Sequence, residues 1–436
     1  MSERPARRDR RRVVIVGGGF GGLACARALD GEDVNVLLLD RHNFHVFAPL
    51  LYQVATALLN PSDIAYPFRS IFRRSRNVRF RQATVVSTDL ERRSLRLAAG
   101  DDITYDDLVI ATGSANDYFA NQTLAEHTLG MKSLAEALGL RNHILASLEL
   151  AVRSASPEER SACLTFVVAG GGPTGVEFAG ALTELLHLVL GRDYPELRTE
   201  DARVVLVEGT DRLLGQFSPT LGAYAERTLR DRSIEVRTST LVEKADDDHV
   251  VLSNGDELAT RTVVWSAGVR PIDPLGDEVG ARSRSKRLRV DPFLRLEGVP
   301  GVYVIGDAAA VQMAGGGELP MLSPPAMQEG RFVARSIIAD AGGETAEPAP
   351  FRYVDKGTMA TIGRRSAVAD IHGLRLRGSI GWLTWLFVHI YYLIGFRNRA
   401  VVLASWGWNY LRKDRPIRLI LRSRADRLTR EIDPVD

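Results

Sequence analysis

Two glycine-rich runs, each followed at a distance by an acid, are the parts of this sequence best suited to chemistry. The first reads GGGFGG at 17 to 22, and Asp40 lies 18 residues beyond its last glycine. Glycines let a backbone come close to a pyrophosphate at a helix N-terminus, and the acid accepts hydrogen bonds from ribose hydroxyls. The second run reads GGGPTG at 170 to 175 and is followed by Glu208. Both runs therefore predict nucleotide binding.

The elements beside the glycine runs are those that such a site needs. VVIV at 13 to 16 is a β-branched run, LACARAL after the first glycines has a helical pattern, and VNVLLL at 34 to 39 leads into the acid. LTFVVA at 164 to 169 and RVVLV before the second acid repeat the arrangement. Strand, tight turn, helix, strand and acid form the Rossmann fingerprint, so the sequence predicts two Rossmann-like units.

Three later strands indicate how the two units connect. LVIATGS at 108 to 114 resembles VVWSAGV at 263 to 269, at nearly the same offset from each glycine run, which supports a duplication. YVIGDAA at 303 to 309 again runs into a glycine and an acid but has no glycine-rich partner. We expect it to complete the first sheet. The predicted fold is therefore α/β, with two Rossmann-like dinucleotide-binding domains, the second inserted in the first.

These motifs also predict domain boundaries, and a C-terminal region follows the two units. The predicted segments are a basic tail at 1–12, a first FAD-type part at 13–115, a helical connection at 116–160, an NADH-type domain at 161–275, a second FAD-type part at 276–340, and a C-terminal region with membrane-interfacial helices at 341–436.

Composition limits the function classes. The chain has 436 residues and a net charge of +2, which argues against nucleic-acid binding because acids nearly balance bases. Cys25 and Cys163 lie far apart and form neither a CxxC motif nor a metal-ligand cluster, so neither a metal site nor disulfide chemistry is predicted. Residues 1 to 12 are rich in arginine and lack the apolar segment of a signal peptide.

An uncharged aromatic stretch lies at 379 to 396, and arginines follow it at once. A spanning helix needs about 20 apolar residues, and a buried core helix would not be followed by so many arginines. We expect instead two helices in the membrane interface, with tryptophans at headgroup depth and arginines on lipid phosphates. The residues concerned are Trp382, Trp385, Trp406, Trp408, Arg397, Arg399, Arg412 and Arg415.

The chain resembles the two-dinucleotide-binding-domain flavoproteins and, among them, the type II (non-proton-pumping) NADH:quinone oxidoreductases. The glycine runs and the ATG and GD segments carry the first resemblance. Three stretches carry the second: FAPLLYQVATALLNPSDIAYPFRSI at 47 to 71, GGGPTGVEFAGAL at 170 to 182, and SPPAMQEGRFVA at 323 to 334. Disulfide reductases and sulfide:quinone oxidoreductases rely on cysteines, and neither cysteine of this chain fits that use.

The resemblance implies FAD in the first unit and NADH in the second. The implied FAD contacts are Gly17, Gly19, Gly22, Asp40, Arg41, Val85, Thr112, Gly113, Gly306, Asp307, Met327 and Gln328. The implied NADH contacts are Gly170, Gly172, Gly175, Glu208 and Gly268. A carboxylate at the strand end favours NADH over NADPH because it repels a 2′-phosphate.

The resemblance also places Glu177, Gln328 and Lys356 in the catalytic site. Glu177 is expected to steer a proton to the quinone or to order the nicotinamide, and Lys356 to pair with Glu177 or the flavin, or to lie at the surface. His42 and His45 either touch FAD or pack a loop.

The 323 to 334 stretch departs from the family pattern, which often has two glutamines four residues apart. This chain keeps Gln328 and has Pro324 at the first position. Proline is tolerated near a helix start, so the flavin contact is expected from the backbone amides of Met327 and Gln328.

The expected function is transfer of electrons from NADH through FAD to a membrane quinone, without proton pumping, by a peripheral enzyme on the cytoplasmic face of the cell membrane. Its expected partners are NADH, a quinone and an anionic lipid surface, and a homodimer stays open because dimers are common in the family. Two alternatives also stay open. One is a soluble NAD(P)H-dependent reductase of a protein acceptor, and the other is a flavin-binding redox sensor or interaction protein.

Overall fold

The computed structural model describes residues 10–276, 280–313, 315–343, 349–412, 417–421, 428 and 431. The chain divides into two compact units. Unit 1 consists of Met1–Val46, Tyr66–Ala115 and Arg270–Lys356, and unit 2 of Phe47–Ala65, Asn116–Val269 and Gly357–Asp436. The chain leaves unit 1, builds most of unit 2 and returns, which confirms the insertion that the sequence predicted.

The predicted segment boundaries differ from those of the units in two places. Residues 47–65 lie inside the predicted first FAD-type part, yet they belong to unit 2. The predicted helical connection at 116–160 is also part of unit 2 and contributes a strand to its sheet. Most of the predicted basic tail lies outside the described residues, which begin at Arg10.

The first half of the strands in chain order are β1 (Arg12–Val16), β2 (Asn35–Asp40), β3 (Phe44–Val46), β4 (Ala65–Pro67), β5 (Val78–Gln82), β6 (Val85–Asp89), β7 (Ser94–Leu97), β8 (Asp102–Thr104), β9 (Asp107–Ile110), β10 (Ser114–Asn116), β11 (Leu129–Gly130), β12 (Thr165–Ala169) and β13 (Arg203–Val207). The others are β14 (Ile234–Arg237), β15 (Val242–Ala245), β16 (His249–Leu252), β17 (Glu257–Ala259), β18 (Thr262–Trp265), β19 (Val269–Pro271), β20 (Leu288–Arg289), β21 (Val302–Val304), β22 (Ala309–Ala310), β23 (Thr358–Gly363), β24 (Ser366–Ile371) and β25 (Leu374–Arg377).

The helices are α1 (Phe20–Ala28), α2 (Leu51–Ala55), α3 (Pro61–Ile64), α4 (Phe68–Ile71), α5 (Gln122–His127), α6 (Leu134–Arg153), α7 (Pro157–Leu164), α8 (Pro173–Val189), α9 (Pro219–Arg230), α10 (Ser323–Gly342), α11 (Gly378–Tyr392) and α12 (Phe396–Arg412).

Unit 1 is built on a five-stranded parallel sheet in the order β21-β9-β1-β2-β5. The central β1 is buried from Val13 to Val16, as expected where helices cover both faces of a parallel sheet. Strand β21, from the YVIGDAA segment, pairs with β9 at the sheet edge. The prediction that this late segment completes the first sheet is therefore confirmed.

Unit 2 repeats this sheet in the order β11-β18-β12-β13-β14, again parallel throughout. The edge position that β21 holds in unit 1 is taken by β11, which precedes the glycine run instead of following it. The two units therefore share one strand order, although their edge strands come from opposite sides of the glycine run in sequence.

The C-terminal part of unit 2 consists of an antiparallel sheet, β23-β24-β25, with α8 and α11 packed on it. Two glycines make this packing close. A Cβ at Gly180 of α8 would lie 2.4 Å from the Ile362 carbonyl oxygen, and one at Gly381 of α11 would lie 2.7 Å from that of Ala367. Among the described residues, no helix combines the length and apolar character needed to cross a membrane.

The aromatic stretch forms α11 and the start of α12, and its tryptophans do not share one environment. Trp385 and Trp406 are 1% and 4% exposed, and their ring centroids lie 5.7 Å apart. The prediction that these two lie at headgroup depth is wrong, because both pack into the protein. Trp408 is exposed and Trp382 half-buried. The predicted lipid contacts of Arg412 and Arg415 fall outside the described side chains.

Candidate active site

The first glycine run forms a tight turn between β1 and α1. Gly17 has φ +103°, and a Cβ there would lie 2.2 Å from the Ala111 carbonyl oxygen. A Cβ at Gly22 would lie 1.9 Å from the Gly17 oxygen. Gly19, the residue that precedes α1, has nothing within 4 Å of its Cβ position. The outer glycines therefore permit packing, while the middle one leaves room for a phosphate at the helix N-terminus.

The second run, between β12 and α8, has the same geometry. Gly170 has φ +106° and lies against the Ser266 backbone. A Cβ at Gly175 would lie 1.8 Å from the Gly170 oxygen. Gly172 precedes α8 and again has nothing within 4 Å of its Cβ position. Each predicted glycine thus occupies the position that a dinucleotide-binding turn requires.

The two acids hold the glycine turns as well as ending their strands. Asp40 accepts hydrogen bonds from the Gly18 and His42 backbone N–H groups, each at 2.7 Å. Glu208 accepts from the N–H of Gly171 at 2.6 Å and of Thr210 at 2.7 Å. A carboxylate has about four acceptor sites, so each acid can brace its loop and still accept from ribose hydroxyls.

A buried histidine in unit 1 leaves one nitrogen for a ligand. His45 is 3% exposed, and its Nδ1 lies 2.9 Å from the Gly18 carbonyl oxygen. A carbonyl can only accept, so Nδ1 carries the proton and Nε2 is an acceptor. Burial lowers the pKa of His45 to about 4, so the ring is neutral. Nε2 has no partner among the described residues, as expected of a group that meets a cofactor.

A further acid of unit 1, Glu329 on α10, contacts the GD segment. Its Oε2 accepts from the Gly306 N–H at 2.5 Å, and Gly306 has φ +69°. Asp307 beside it accepts a hydrogen bond from the Ser114 hydroxyl. Burial raises the pKa of Glu329 to about 7. The sequence interpretation missed Glu329, although an acid at helical spacing between Ala326 and Val333, on the buried face of α10, was a usable signal.

The ATG segment of unit 1 joins the returning chain. Thr112 donates its hydroxyl hydrogen to the Ile272 carbonyl, and the Ile272 N–H donates to the Gly113 oxygen at 2.9 Å. Gly113 has φ +73°, a left-handed conformation that favours glycine. These bonds fix the segment to which the resemblance assigns a FAD contact.

A pocket of about 420 Å³ lies within unit 2. Apolar and aromatic side chains form much of it, and polar groups from α2, α8 and β23 complete it. The lining residues are Tyr52, Gln53, Leu58, Glu177, Ala181, Glu184, His187, Leu188, Arg232, Thr361, Gly363, Arg364, Trp382, Trp385, Leu386 and Trp406. A concave, mostly apolar cavity with a few directed polar groups is the usual form of a small-molecule site.

Glu177 is the buried acid of this pocket. It lies on α8, five residues after the N-cap Gly172, and accepts from the Thr361 backbone N–H at 3.1 Å. Burial raises the pKa of Glu177 to about 8, only partly offset by that N–H and by the Trp385 indole. The carboxyl group is therefore mainly protonated at neutral pH and able to donate a proton.

A hydrogen-bonded chain crosses the same pocket. The Trp406 Nε1–H donates to Gln53 Oε1 at 2.8 Å, and Gln53 Nε2 donates to the Tyr52 hydroxyl oxygen at 2.9 Å. That oxygen lies 3.1 Å from Thr361 Oγ1. The sequence interpretation named the 47 to 71 stretch but singled out neither Tyr52 nor Gln53, because their partners lie more than 300 residues away.

The comparisons with known proteins agree with this geometry. The model of the pyridine nucleotide-disulphide oxidoreductase family matches residues 11–330, and that of the NDH2 C-terminal domain matches residues 356–413. A type II NADH:quinone oxidoreductase of Mycobacterium tuberculosis is 39% identical over 415 residues, which cover 92% of this chain and 88% of that protein. The chain belongs to the type II NADH:quinone oxidoreductases.

Other relatives of this type II enzyme support the assignment. A second type II NADH:quinone oxidoreductase of M. tuberculosis is 37% identical, covering 93% of this chain and 88% of that protein. The structure of NDH2 from Plasmodium falciparum in complex with NADH shares the fold, with a TM-score of 0.85 at 18% identity, covering 95% of this chain and 100% of that one. The chain is thus an FAD-dependent NADH dehydrogenase, and FAD and NADH are its cofactors.

The disulphide chemistry in the broader family's name has no counterpart in this type II enzyme. Cys25 on α1 and Cys163 on α7 are both buried free thiols. Burial raises the pKa of each, which disfavours the reactive thiolate. The electrons must therefore leave by a route without a thiol relay.

Two of the residues predicted to be catalytic lie in unit 1 of this type II enzyme. The Gln328 amide donates to the Val354 carbonyl at 2.9 Å and accepts from the Val354 N–H at 3.0 Å, so it orders the chain beside exposed Lys356. The quinone contact of Gln328 and the pairing of Lys356 with Glu177 stay predictions.

The start of α10 offers fewer amides than the sequence interpretation assumed. The helix begins at Ser323, so Pro324 is accommodated near its start, as predicted. Pro324 and Pro325 have no N–H, which leaves Ser323 as the donor among the first three helical residues. Met327 and Gln328 lie in the next turn, where α-helical amides pair within the helix. Their proposed flavin contact would have to come from side chains.

Three remaining predicted cofactor residues occupy different surroundings. Arg41 is exposed, with its carbonyl accepting from Gln82, and Val85 is half-buried at the start of β6. A Cβ at Gly268 would lie 2.6 Å from the Phe119 ring, so a close packing contact accounts for that glycine. Their cofactor contacts stay predictions.

Proposed function

We propose that unit 1 holds FAD, that the second glycine turn binds NADH, and that the pocket of unit 2 takes the quinone. The buried, protonated Glu177 in an aromatic pocket carries this proposal. A buried carboxyl group without a cationic partner is costly to keep, and proton transfer to a bound substrate would account for its retention. When bound, FAD supplies the chemistry that accepts a hydride from NADH and passes two electrons on.

The proton balance explains why the pocket needs an acid. Reducing a quinone to a quinol takes two electrons and two protons. The hydride that leaves NADH carries both electrons and one of these protons, so the second must come from water. Glu177 Oε1 accepts from Thr361, which leaves Oε2 to present a proton to a quinone oxygen and to be reprotonated from solvent.

The test replaces Glu177 by Gln and separates the two half-reactions by stopped flow. Flavin reduction by NADH should be nearly unchanged, while flavin reoxidation by quinone should slow by about 100-fold, the usual contribution of a positioned acid. Glu226→Gln, which removes an exposed acid paired with Arg230 on α9, is the control and should leave both rates unchanged. Equal reoxidation rates in Glu177→Gln and the wild type would remove the pocket from the proposal.

We also propose that α11 attaches the enzyme to a lipid surface. The side chains of Ile380, Leu383, Phe387 and Tyr391 are all more than half exposed. They recur every three or four residues and so form one face of the helix. The adjacent face carries Trp382, Trp385 and Leu386 into the pocket. A quinone dissolved in lipid would therefore meet the same helix that lines its pocket.

Vesicle flotation with anionic and neutral lipids tests this attachment. Leu383→Ser combined with Phe387→Ser should lower vesicle binding at least about tenfold, since burying each side chain contributes roughly 1.5 to 3 kcal/mol. Reduction of a water-soluble quinone should persist in this double variant. If instead the wild type stays off vesicles and the exposed face joins two chains, the face is a dimer contact, as in the protein-acceptor alternative.

The lipid surface fits a peripheral location, and we propose the cytoplasmic side, where NADH is available. Glu208 beside the second glycine turn supports NADH as donor. The homodimer stays a prediction.

A further inference from the structure

A buried indole N–H in the pocket of unit 2 lacks a hydrogen-bond acceptor. Trp385 is almost fully buried, and its Nε1 atom has no partner among the residues that the structure describes. Buried donors are almost always paired, so this one calls for a partner that the polypeptide does not supply. The indole lies near enough to Glu177 to lower the pKa of that carboxyl. That attraction lacks the geometry of a hydrogen bond and leaves the donor unsatisfied.

The Trp385 ring is held in place by its neighbours. The His389 ring stacks on it with centroids 3.9 Å apart and planes at 21°. His389 Nδ1 in turn lies 2.8 Å from the Trp385 carbonyl oxygen, which fixes the stacked ring one turn along α11. Trp406 packs on the indole from α12. The indole is therefore rigid, and its N–H direction is set before any ligand binds.

Trp406 provides the contrast within the same pocket. It too is buried and lines the cavity, but its Nε1–H donates to Gln53 Oε1 at 2.8 Å. The two tryptophans thus share burial and position and differ in one respect. The indole of Trp406 stabilises the protein through a hydrogen bond, and that of Trp385 does not.

We propose that Trp385 is a substrate-binding residue whose Nε1–H donates to a carbonyl oxygen of the quinone, a role that rests on the function proposed above. A quinone carbonyl oxygen accepts hydrogen bonds and has no proton of its own, so it matches an unpaired donor. Apolar walls from Trp382 and Leu386 suit the flat ring. The protonated Glu177 in the same pocket then serves as the proton source, while Trp385 orients the ring.

The test compares Trp385→Phe with Trp406→Phe, because both lose the same side-chain volume and one N–H. Trp385→Phe should raise the KM for quinone roughly three- to tenfold more than Trp406→Phe does, the effect of one lost hydrogen bond. Trp406→Phe should lower the Tm more, since only this variant breaks a hydrogen bond within the protein. Flavin reduction by NADH should be alike in both.

A nitrogen-15 spectrum of the tryptophan indoles in the wild-type holoenzyme gives a second readout that needs no variant to fold. One buried indole proton should resonate as a non-bonded donor and move downfield when a water-soluble quinone is added. An unmoved spectrum under saturating quinone, or equal KM changes in the two variants, would overturn the role of Trp385. A wild type that reduces no quinone would instead overturn the proposed function itself.

Discussion

The two nucleotide-binding units share one turn geometry and differ in the helix after the turn. In both, the outer glycines pack against backbone, the middle glycine is open, and an acid accepts an N–H from the turn. The helix α1 of unit 1 has 9 residues, whereas α8 of unit 2 has 17 and brings Glu177 into the pocket. The second unit has therefore extended a nucleotide-binding helix into the wall of a substrate site.

The surroundings of the turns differ as well. In unit 1, a Cβ at Gly18 would lie 2.1 Å from the buried Phe68 ring, and Gly330 of α10 packs against the Gly21 backbone. In unit 2, a Cβ at Gly171 would meet the ends of Leu213 and Glu208 instead. The enclosed turn of unit 1 suits a cofactor that stays bound, and the less covered turn of unit 2 suits one that exchanges every turnover.

The largest expected effect comes from filling the outer glycine positions. Gly22→Ala places a methyl group 1.9 Å from a backbone oxygen, so we expect purified protein without FAD. Gly175→Ala should keep its FAD but raise the KM for NADH by about 100-fold, the effect of roughly 3 kcal/mol of overpacking. Flavin absorbance and steady-state kinetics measure the two outcomes. Loss of FAD in both variants would show that the turns are not independent.

The middle glycines allow a milder form of the same comparison. Gly19→Ala and Gly172→Ala have open space for the new methyl group, so both variants should fold with unchanged circular dichroism. A bound phosphate would meet the methyl group, which should weaken FAD binding in the first and NADH binding in the second by about tenfold. Titration of the apoprotein with FAD, and of the holoenzyme with NADH, separates them. An effect on the opposite nucleotide would contradict the assignment.

Removing the acid of unit 2 should change the choice of donor. With Glu208→Ala, the carboxylate that would repel a 2′-phosphate is gone, so the ratio of kcat/KM for NADPH to that for NADH should rise about tenfold. Gln is unsuited here, because both Glu208 oxygens accept N–H groups and a side-chain NH2 would oppose one of them. Asp40→Ala in unit 1 is the matched control and should leave the ratio unchanged.

The smallest expected effects are on stability, where each unit has one buried acid. The folded-state pKa values of Glu177 and Glu329 are about 8 and about 7, raised by burial from ordinary values near 4.5. The native state therefore binds more protons than the unfolded state, and stability falls as pH rises through these windows. Relative to the wild type, Glu329→Gln should gain Tm up to about pH 7 and Glu177→Gln up to about pH 8, each gain corresponding to a few kcal/mol at most.

Holoenzyme melting curves between about pH 5 and about pH 9 test this difference. Parallel curves for the wild type and both Gln variants would mean that neither acid is buried in its protonated form.

Local patterns made the cofactor turns predictable, and distant contacts made the pocket unpredictable. The glycine runs, both acids and the late strand β21 follow from spacing, because each motif contains its own structural requirement. The pocket joins α2, α8, β23 and α11, which are separated by hundreds of residues. Trp385 and Trp406 show the limit most clearly. Their aromatic and basic neighbourhood suggested lipid contact, but the tertiary fold buries both and gives one of them a free donor.

The central claim is that NADH reduces the flavin and that the pocket of unit 2 passes the electrons to a quinone. Anaerobic stopped-flow mixing of the holoenzyme with NADH, followed by a water-soluble quinone, tests it most directly. The account predicts fast bleaching of the flavin with NADH, then recovery at a rate that is slowed by Glu177→Gln while bleaching is not. Recovery that is equally fast in this variant, or bleached flavin that no quinone reoxidises, would contradict it.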